Sequence, residues 1–156
     1  MDQAITITPF HSEAHRGQVI DLWTTVFGYE AKHNEPSLVI QRKEEMKDGL
    51  FLVSVSPSNK VTGTVMCGYD GHRGWIYSLA VSPELQRSGV GSALMSHAEA
   101  VLRARGCMKI NLQIMEGNEG VEAFYRTLGY SAEKRVSMGK RLPSNIPTVE
   151  SIDTLD

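Results

Sequence analysis

The chain has few cysteines and no long apolar segment, and both shortages restrict the kind of protein it is. Its 156 residues include only Cys67 and Cys107, which form no C-x-x-C pair. We therefore expect neither a disulfide framework nor a metal site. No apolar run has the length of a membrane span, and Met1-Asp2-Gln3 does not begin a signal peptide. The expectation is a cytoplasmic protein with no membrane partner.

An excess of positive charge is also lacking. The sequence has 16 Lys and Arg residues against 18 Asp and Glu residues, which gives a net charge of -2. Because a nucleic-acid-binding surface normally shows clustered positive charge, no nucleic-acid partner is expected. The length fits one domain, which we place at residues 1–142. A tail at 143–156 is expected to be loosely held or to pack on a neighbouring copy, as in a homodimer.

Hydrophobic periodicity predicts a sheet that is antiparallel in its first part and parallel later. Strands are predicted at 5–8, 50–55, 61–69, 75–81 and 109–115, with final strand material at Tyr130 and 136–138. Helices are predicted at 19–27, at 36–48 with Leu38, Val39 and Met46 buried, from Ser92 to Gly106, and from the N-cap Asn118 to Gly129. The order strand, helix, strand after residue 75 predicts a right-handed crossover between two parallel strands.

The loop Gln86–Gly91 joins the strand at 75–81 to the helix that follows it. The first four N–H groups of a helix have no intrahelical partner and lie at the positive end of the helix dipole. Glycine at positions 89 and 91 has no Cβ to keep an anion away from the backbone. The pattern therefore predicts a phosphate-binding loop.

Two commoner phosphate motifs do not fit this loop. A dinucleotide fingerprint needs a third small residue where this chain has Leu94, and an acidic residue where the next strand has Asn111 and Gln113. The loop of P-loop nucleotidases needs Gly-Lys followed by Ser or Thr, whereas Gly139-Lys140 is followed by Arg141.

Two linked motifs give the chain its resemblance to a known family. Gln86–Gly91 fits a Q/R-x-x-G-x-G/A loop, and residues 118–130 fit an N-x-x-x-x-A-x-x-F/Y-x-x-x-G-F/Y block. Over residues 5–142 the sequence resembles the GNAT family of acetyl-CoA-dependent N-acetyltransferases. The segment 63–74 further resembles its bacterial YpeA-type branch.

The resemblance implies the α/β GNAT fold, a mixed twisted sheet whose two central parallel strands splay apart between flanking helices. It implies that acetyl-CoA is the co-substrate. Its pyrophosphate would lie on the backbone of Arg87, Ser88, Gly89, Val90, Gly91 and Ser92, with Gln86 and Ala93 lining the loop. Its pantetheine arm would pair with Leu79, Ala80 and Val81, and Asn118 would lie near this arm or the splay. Phe124, Tyr125 and Arg126 would face the thiol and adenosine end of the coenzyme.

The same resemblance implies three chemical roles. The backbone N–H of Leu79 would stabilise the oxyanion formed at the thioester, and Tyr125 would protonate the departing sulfur while Phe124 turns toward the core. Some relatives have a carboxylate base at the positions of Trp75 or Gln113, where this chain has none. Glu116 is our first candidate for the base, and Glu30, His33 and Glu35 remain open.

The predicted function is transfer of acetyl from acetyl-CoA to a primary amine by direct attack in a ternary complex. The acceptor is left open between a small amine, an amino-acid derivative and a peptide amine. Two alternatives stay open as well. One is an acyl-CoA sensor without turnover, which the missing carboxylates favour, and the other is an acyltransferase for a longer acyl group.

Overall fold

The computed structural model describes residues 4–28 and 35–143. The strands are β1 (Thr6–Pro9), β2 (Phe51–Val55), β3 (Val61–Tyr69), β4 (Gly74–Val81) and β5 (Ile110–Leu112). The helices are α1 (Ser12–Phe27), α2 (Pro36–Met46), α3 (Val90–Ala104) and α4 (Glu119–Thr127), with a 3-10 turn at Pro83–Leu85.

The sheet has the order β1-β2-β3-β4-β5. Its first three pairings are antiparallel, and β4 with β5 is parallel. The hairpin of β2 and β3 and the parallel unit across α3 are therefore confirmed. The parallel pairing covers only Gly74–Ile76 and Ile110–Leu112, whereas β4 continues to Val81.

Helices cover both faces of the sheet. In α3, Val90, Leu94, Ala98 and Leu102 recur at helical spacing and are buried against one face, which includes Leu52. Phe51 and Val53 point to the opposite face, where Val19 and Trp23 of α1 and Ile40 of α2 pack with them. The alternation along β2 thus divides the core into two clusters, one on each side of the sheet.

The burial of α2 differs from the prediction at one end. Pro36, Ile40 and Lys43 form its buried stripe, whereas Met46 is 65% exposed. Met46 lies about a quarter of a turn away from that stripe, which is why its side chain faces solvent. Lys43 is buried because its ammonium donates to the Cys67 carbonyl and to Asp48 Oδ2, which ties α2 to the sheet.

One predicted strand is longer than the observed one, and the final predicted strand is not formed. β5 ends at Leu112 instead of Met115, and Tyr130 and residues 136–138 are not in a strand. The segment after α4 is attached through side chains to β5 and to the residue after it, where Gln113 Nε2 donates to Ser137 Oγ. Val136 and Met138, the apolar residues that suggested a final strand, are exposed and do not pack on the sheet.

Within the described residues, no helix is long and apolar enough to cross a membrane. The same part of the chain contains no group of three or more His, Cys, Asp or Glu side chains arranged to hold a metal. Cys67 and Cys107 are both unpaired and buried. Of the predicted tail, only Pro143 lies in the described ranges.

Candidate active site

A β-bulge interrupts β4 shortly after its pairing with β5 ends. Thr64 of β3 is in register with Ala80, but Met66 is in register with Tyr77, so β4 has one extra residue in this interval. Ser78, within the bulge, has φ of 52°, an uncommon value for a residue other than glycine. Leu79 has a register partner on neither neighbouring strand. The bulge therefore sets the Leu79 backbone apart from the regular ladder.

The parallel strands separate beyond Ile76 and Leu112, the last registered pair. Five residues of β4, 77–81, continue past this point without a β5 partner. An open strand edge of this kind can pair with an extended ligand in the way an added strand would. The geometry agrees with the splay that the sequence resemblance implies.

The loop after β4 is folded by its own hydrogen bonds. Ser88 N–H donates to the Leu85 carbonyl at 3.3 Å, and the Gln86 side-chain amide donates to the Val81 carbonyl at 3.3 Å. Arg87 and Gly89 both have positive φ, 65° and 92°. These left-handed residues turn the chain sharply from the end of β4 into α3.

Helix α3 begins with free backbone donors. Gly89 is its N-cap and has no side chain to cap the helix, and the Ala93 N–H donates to the Gly89 carbonyl at 3.0 Å. The N–H groups of residues 89–92 therefore remain available for a ligand. A Cβ added at Gly89 would meet nothing within 4 Å, so space is open at this N-terminus. Open space, free donors and the helix dipole together suit a pyrophosphate.

Gly91 is the place where three site elements meet. A Cβ added there would lie 3.3 Å from Phe124 Cζ of α4 and 3.6 Å from Val81 Cγ2 of β4. We predicted a glycine here because a Cβ would keep a phosphate away from the backbone. The close packing of the protein against this position also requires the small size of glycine. A larger side chain at Gly91 would therefore disturb the packing of α4 as well as the approach of a ligand.

Helix α4 starts as predicted, because the Asn118 side chain accepts a hydrogen bond from Val121 N–H at 3.3 Å. Tyr125 is 7% exposed and belongs to the core cluster on the α3 side, whereas Phe124 is only partly buried against that cluster. We expected Phe124 to be the residue facing the core. The amphipathic face of this short helix is centred on Tyr125 instead, and Phe124 packs beside Gly91.

Two aromatic rings hold the Tyr125 ring in an edge-on arrangement. The Phe124 and Tyr130 ring centroids lie 5.2 Å and 5.7 Å from that of Tyr125. Burial raises the pKa of the Tyr125 phenol to about 12, so the hydroxyl is protonated at neutral pH. A proton donor needs this state, and the higher pKa also makes the phenol a weaker acid. Arg126 is exposed, and Glu122 one turn earlier pairs with it at 2.7 Å.

The candidate bases lie in different settings. Glu116 is exposed in the turn between β5 and α4. Glu35 caps α2 and accepts from Ser37 and Leu38, and its hydrogen bonds with Ser37 lower the pKa of its carboxyl. A carboxylate with this structural role and a lowered pKa is a poor base. Glu30 and His33 lie outside the described residues.

A carboxylate that the sequence analysis did not single out lies beside β5. Glu133 accepts from Lys109 Nζ at 2.6 Å and from Asn111 Nδ2 at 2.8 Å. The hydrogen bond from Lys109, followed by that from Asn111, lowers the pKa of the Glu133 carboxyl and keeps it ionised. No local pattern signals a contact between residues 22 apart in a segment without regular structure.

The face on which Glu133 lies follows from the alternation of β5. Ile110 and Leu112 pack on the α3 side of the sheet, so Asn111 points to the opposite side. Asn111 is in register with Trp75 of β4. Glu133 thus places a carboxylate, ion-paired with Lys109 at 2.6 Å, on the sheet face opposite α3.

Comparisons with known proteins agree with this geometry. Ard1 from Thermoplasma volcanium is 24% identical, with a TM-score of 0.71 over 82% of this chain and 83% of its own. Glucosamine-6-phosphate N-acetyltransferase from Arabidopsis thaliana is 19% identical, with a TM-score of 0.65 over 90% of this chain and 100% of its own. A chain of the NatC complex, solved with Gag peptide and CoA, is 20% identical, with a TM-score of 0.72 over 84% and 87%.

Identities this low support the fold alone, and the family is shown by a separate match. The model described as the acetyltransferase (GNAT) family matches residues 16–130, which contain the bulge, the loop and both helices of the site. The five-stranded mixed sheet with its flanking helices is the GNAT fold. This chain belongs to the GNAT family of acetyltransferases, a family that uses acetyl-CoA.

Proposed function

We propose that this protein transfers the acetyl group of acetyl-CoA to a primary amine by direct attack within a ternary complex. The observation that carries this proposal is the continuity between the unpaired part of β4, residues 77–81, and the free N–H groups that open α3. An extended pantetheine arm fits the first feature and a pyrophosphate fits the second. The proposed site includes the segment 86–93 and the α4 residues Asn118, Phe124 and Arg126.

The chemistry needs a neutral amine, a stabilised oxyanion and a protonated leaving group. The amine nitrogen attacks the thioester carbon after a base has taken its proton, and we propose the exposed Glu116 for this role, directly or through water. The N–H of Leu79 donates to the oxyanion as it forms. When the carbon–sulfur bond breaks, the Tyr125 hydroxyl gives its proton to the sulfur.

We propose that the acceptor is a cation in solution, because two carboxylates lie near β5, beside the point where the parallel strands separate. Glu133 accepts from Asn111 of β5 and is ion-paired with Lys109, and Glu116 is exposed in the turn that follows β5. Ionised carboxylates concentrate a cationic substrate by electrostatic steering. A polyamine, an amino-acid derivative or a peptide amine has this charge.

The resemblance of segment 63–74 supports the YpeA-type branch as the finer assignment within the family.

Glu133→Gln is expected to raise KM for a dicationic amine about three- to tenfold with little change in kcat, because the amide keeps the Asn111 hydrogen bond but leaves the Lys109 ammonium without its counter-charge. Steady-state kinetics at low and at high salt measure the effect, which should shrink as salt increases. Glu44→Gln is the matched control, since Glu44 is also exposed and ion-paired, with Arg16 at 3.4 Å. An equal effect in both variants would remove Glu133 from the acceptor site.

A screen of diverse amines tests the proposed function. Free CoA is followed with a thiol reagent, and the acetylated product is identified by its mass. Burial raises the pKa of the Cys67 thiol to about 12, so this thiol should contribute little background in the folded protein. Acetylation of primary amines is expected. Transfer to neutral alcohols alone would contradict the proposal.

The alternative of an acyl-CoA sensor is favoured by Trp75 and Gln113, neither of which can act as a base. A sensor would bind acetyl-CoA and raise its own melting temperature by mass action, but would release no CoA with any amine. The same screen, combined with a thermal melt in acetyl-CoA, separates the two functions.

A further inference from the structure

A chain of buried hydrogen bonds ends on the backbone of the β4 bulge. Trp23 Nε1 of α1 donates to Thr64 Oγ1 of β3 at 2.8 Å, and Thr64 Oγ1 donates to the Ser78 carbonyl at 2.8 Å. Trp23 and Thr64 are both 0% exposed. These linked hydrogen bonds therefore run from α1, through β3, to Ser78, the one residue of β4 with positive φ.

The direction of this chain is fixed by chemistry. An indole N–H can only donate, so the Thr64 oxygen must accept from Trp23. A hydroxyl has a single proton, and the proton of Thr64 is therefore the one that reaches the Ser78 carbonyl. Because both groups are shielded from water, neither has solvent as an alternative partner.

The Ser78 carbonyl and the Leu79 N–H belong to the same peptide unit. A trans peptide is planar, and its C=O and N–H point in opposite directions. A hydrogen bond that holds the Ser78 carbonyl against Thr64 consequently sets the direction of the Leu79 N–H. It also polarises that N–H, since hydrogen bonds in a chain strengthen one another.

We propose that Trp23 and Thr64 are positioning residues for acyl transfer, which aim the Leu79 N–H at the oxyanion through the Ser78–Leu79 peptide. This inference rests on the proposed function. It explains why a strained backbone is kept at Ser78, where a residue other than glycine must be held by its surroundings. Neither residue touches the substrate in this arrangement.

Thr64→Val tests the inference, because valine keeps the shape of threonine and removes the hydroxyl. We expect kcat to fall about tenfold or more, less than when an oxyanion donor is lost altogether, while CoA affinity stays within about threefold. Thr64→Ser keeps the hydroxyl and should restore kcat. In isotope-edited infrared spectra, the carbonyl band of bound ¹³C-acetyl-CoA should move toward its position in free acetyl-CoA in Thr64→Val and not in Thr64→Ser.

Thr62→Val is the matched control on the same strand. Thr62 is 2% exposed, and its hydroxyl bonds to Ser54 Oγ at 2.8 Å and to the Ser54 carbonyl at 3.2 Å, away from the bulge. The Thr62→Val variant should lower the melting temperature as Thr64→Val does, but it should leave kcat and the carbonyl band unchanged. If Thr64→Val does not fold, Thr64→Ala with Thr62→Ala as its control gives the same comparison.

The outcomes separate the two proposals. A Thr64→Val protein with parental kcat and a parental carbonyl band would overturn the positioning role and leave a structural hydrogen bond only. A parent protein that binds acetyl-CoA without acetylating any amine would contradict the proposed function instead. In that case the carbonyl band still decides whether Thr64 directs the Leu79 N–H toward the thioester.

Discussion

Replacing Tyr125 with phenylalanine is expected to lower kcat by about ten- to a hundredfold while the affinity for acetyl-CoA is nearly retained. The variant keeps the buried ring and its contacts with Phe124 and Tyr130 but removes the proton donor. The effect falls toward the lower part of the range for acid catalysis, because a thiol with a pKa of about 8.5 is already a fair leaving group. Kinetics with saturating acetyl-CoA measure the change.

The pH dependence follows from the direction of the shift. Because the Tyr125 pKa is raised to about 12, the phenol remains protonated throughout the range below pH 10. We therefore expect no alkaline fall in turnover from this residue in that range. The stability that burial of the neutral phenol contributes is present below pH 10 and is lost as pH rises through about 12.

Tyr130→Phe is the control for Tyr125→Phe. Tyr130 belongs to the same aromatic group, and its hydroxyl donates to Glu99 Oε1 at 3.3 Å instead of facing the proposed substrate. The Tyr130→Phe variant should therefore retain the kcat of the parent protein. Unchanged turnover in a folded Tyr125→Phe protein would remove Tyr125 from the mechanism and favour a proton path through water.

Ser92→Asp is expected to weaken CoA binding about ten- to a hundredfold without lowering stability. Ser92 lies in the first turn of α3, so a carboxylate there repels a pyrophosphate placed at the same N-terminus. The same charge interacts favourably with the helix dipole, by about 0.3–1 kcal/mol. A loss of affinity together with an unchanged or higher melting temperature is hard to produce by damage to the fold.

Ser96→Asp provides the matched control, because Ser96 is exposed on α3 one turn further from the N-terminus. Calorimetric titration with CoA should give a Kd close to that of the parent for Ser96→Asp, and the difference between the variants should narrow in high salt. Equal affinities in Ser92→Asp and the parent would refute the pyrophosphate site. The comparison of Ser92→Asp with Ser96→Asp tests the pyrophosphate site more directly than a change at Gly91, where added atoms would also press on Phe124.

Local patterns were sufficient to predict most of the fold. Gly28 ends α1, Asn118 caps α4, and the strand, helix, strand order around α3 gives a parallel pair, as its short connections require. Each of these features is set by neighbouring residues or by the spacing within one element.

The features that sequence reasoning missed are set by contacts between distant segments. The bulge at Ser78 has no glycine to mark it, and the Trp23–Thr64 hydrogen bond that supports it joins residues 41 apart. The segment after α4 contacts β5 and the residue after it through side chains, with Glu133 on Asn111 and Ser137 on Gln113, and it is not in a strand. Long-range polar contacts of this type leave no periodic signal.

The central claim is that CoA lies along the unpaired part of β4 and on the N-terminus of α3. Titration of ¹⁵N-labelled protein with CoA, followed through the backbone amide signals, tests it directly. The amides of residues 79–81 and 89–92 are expected to shift most, with the Gly89 and Gly91 signals moving downfield as their N–H groups bind phosphate oxygens. Unchanged Gly89 and Gly91 signals at saturating CoA, with the largest shifts elsewhere, would contradict the proposed site.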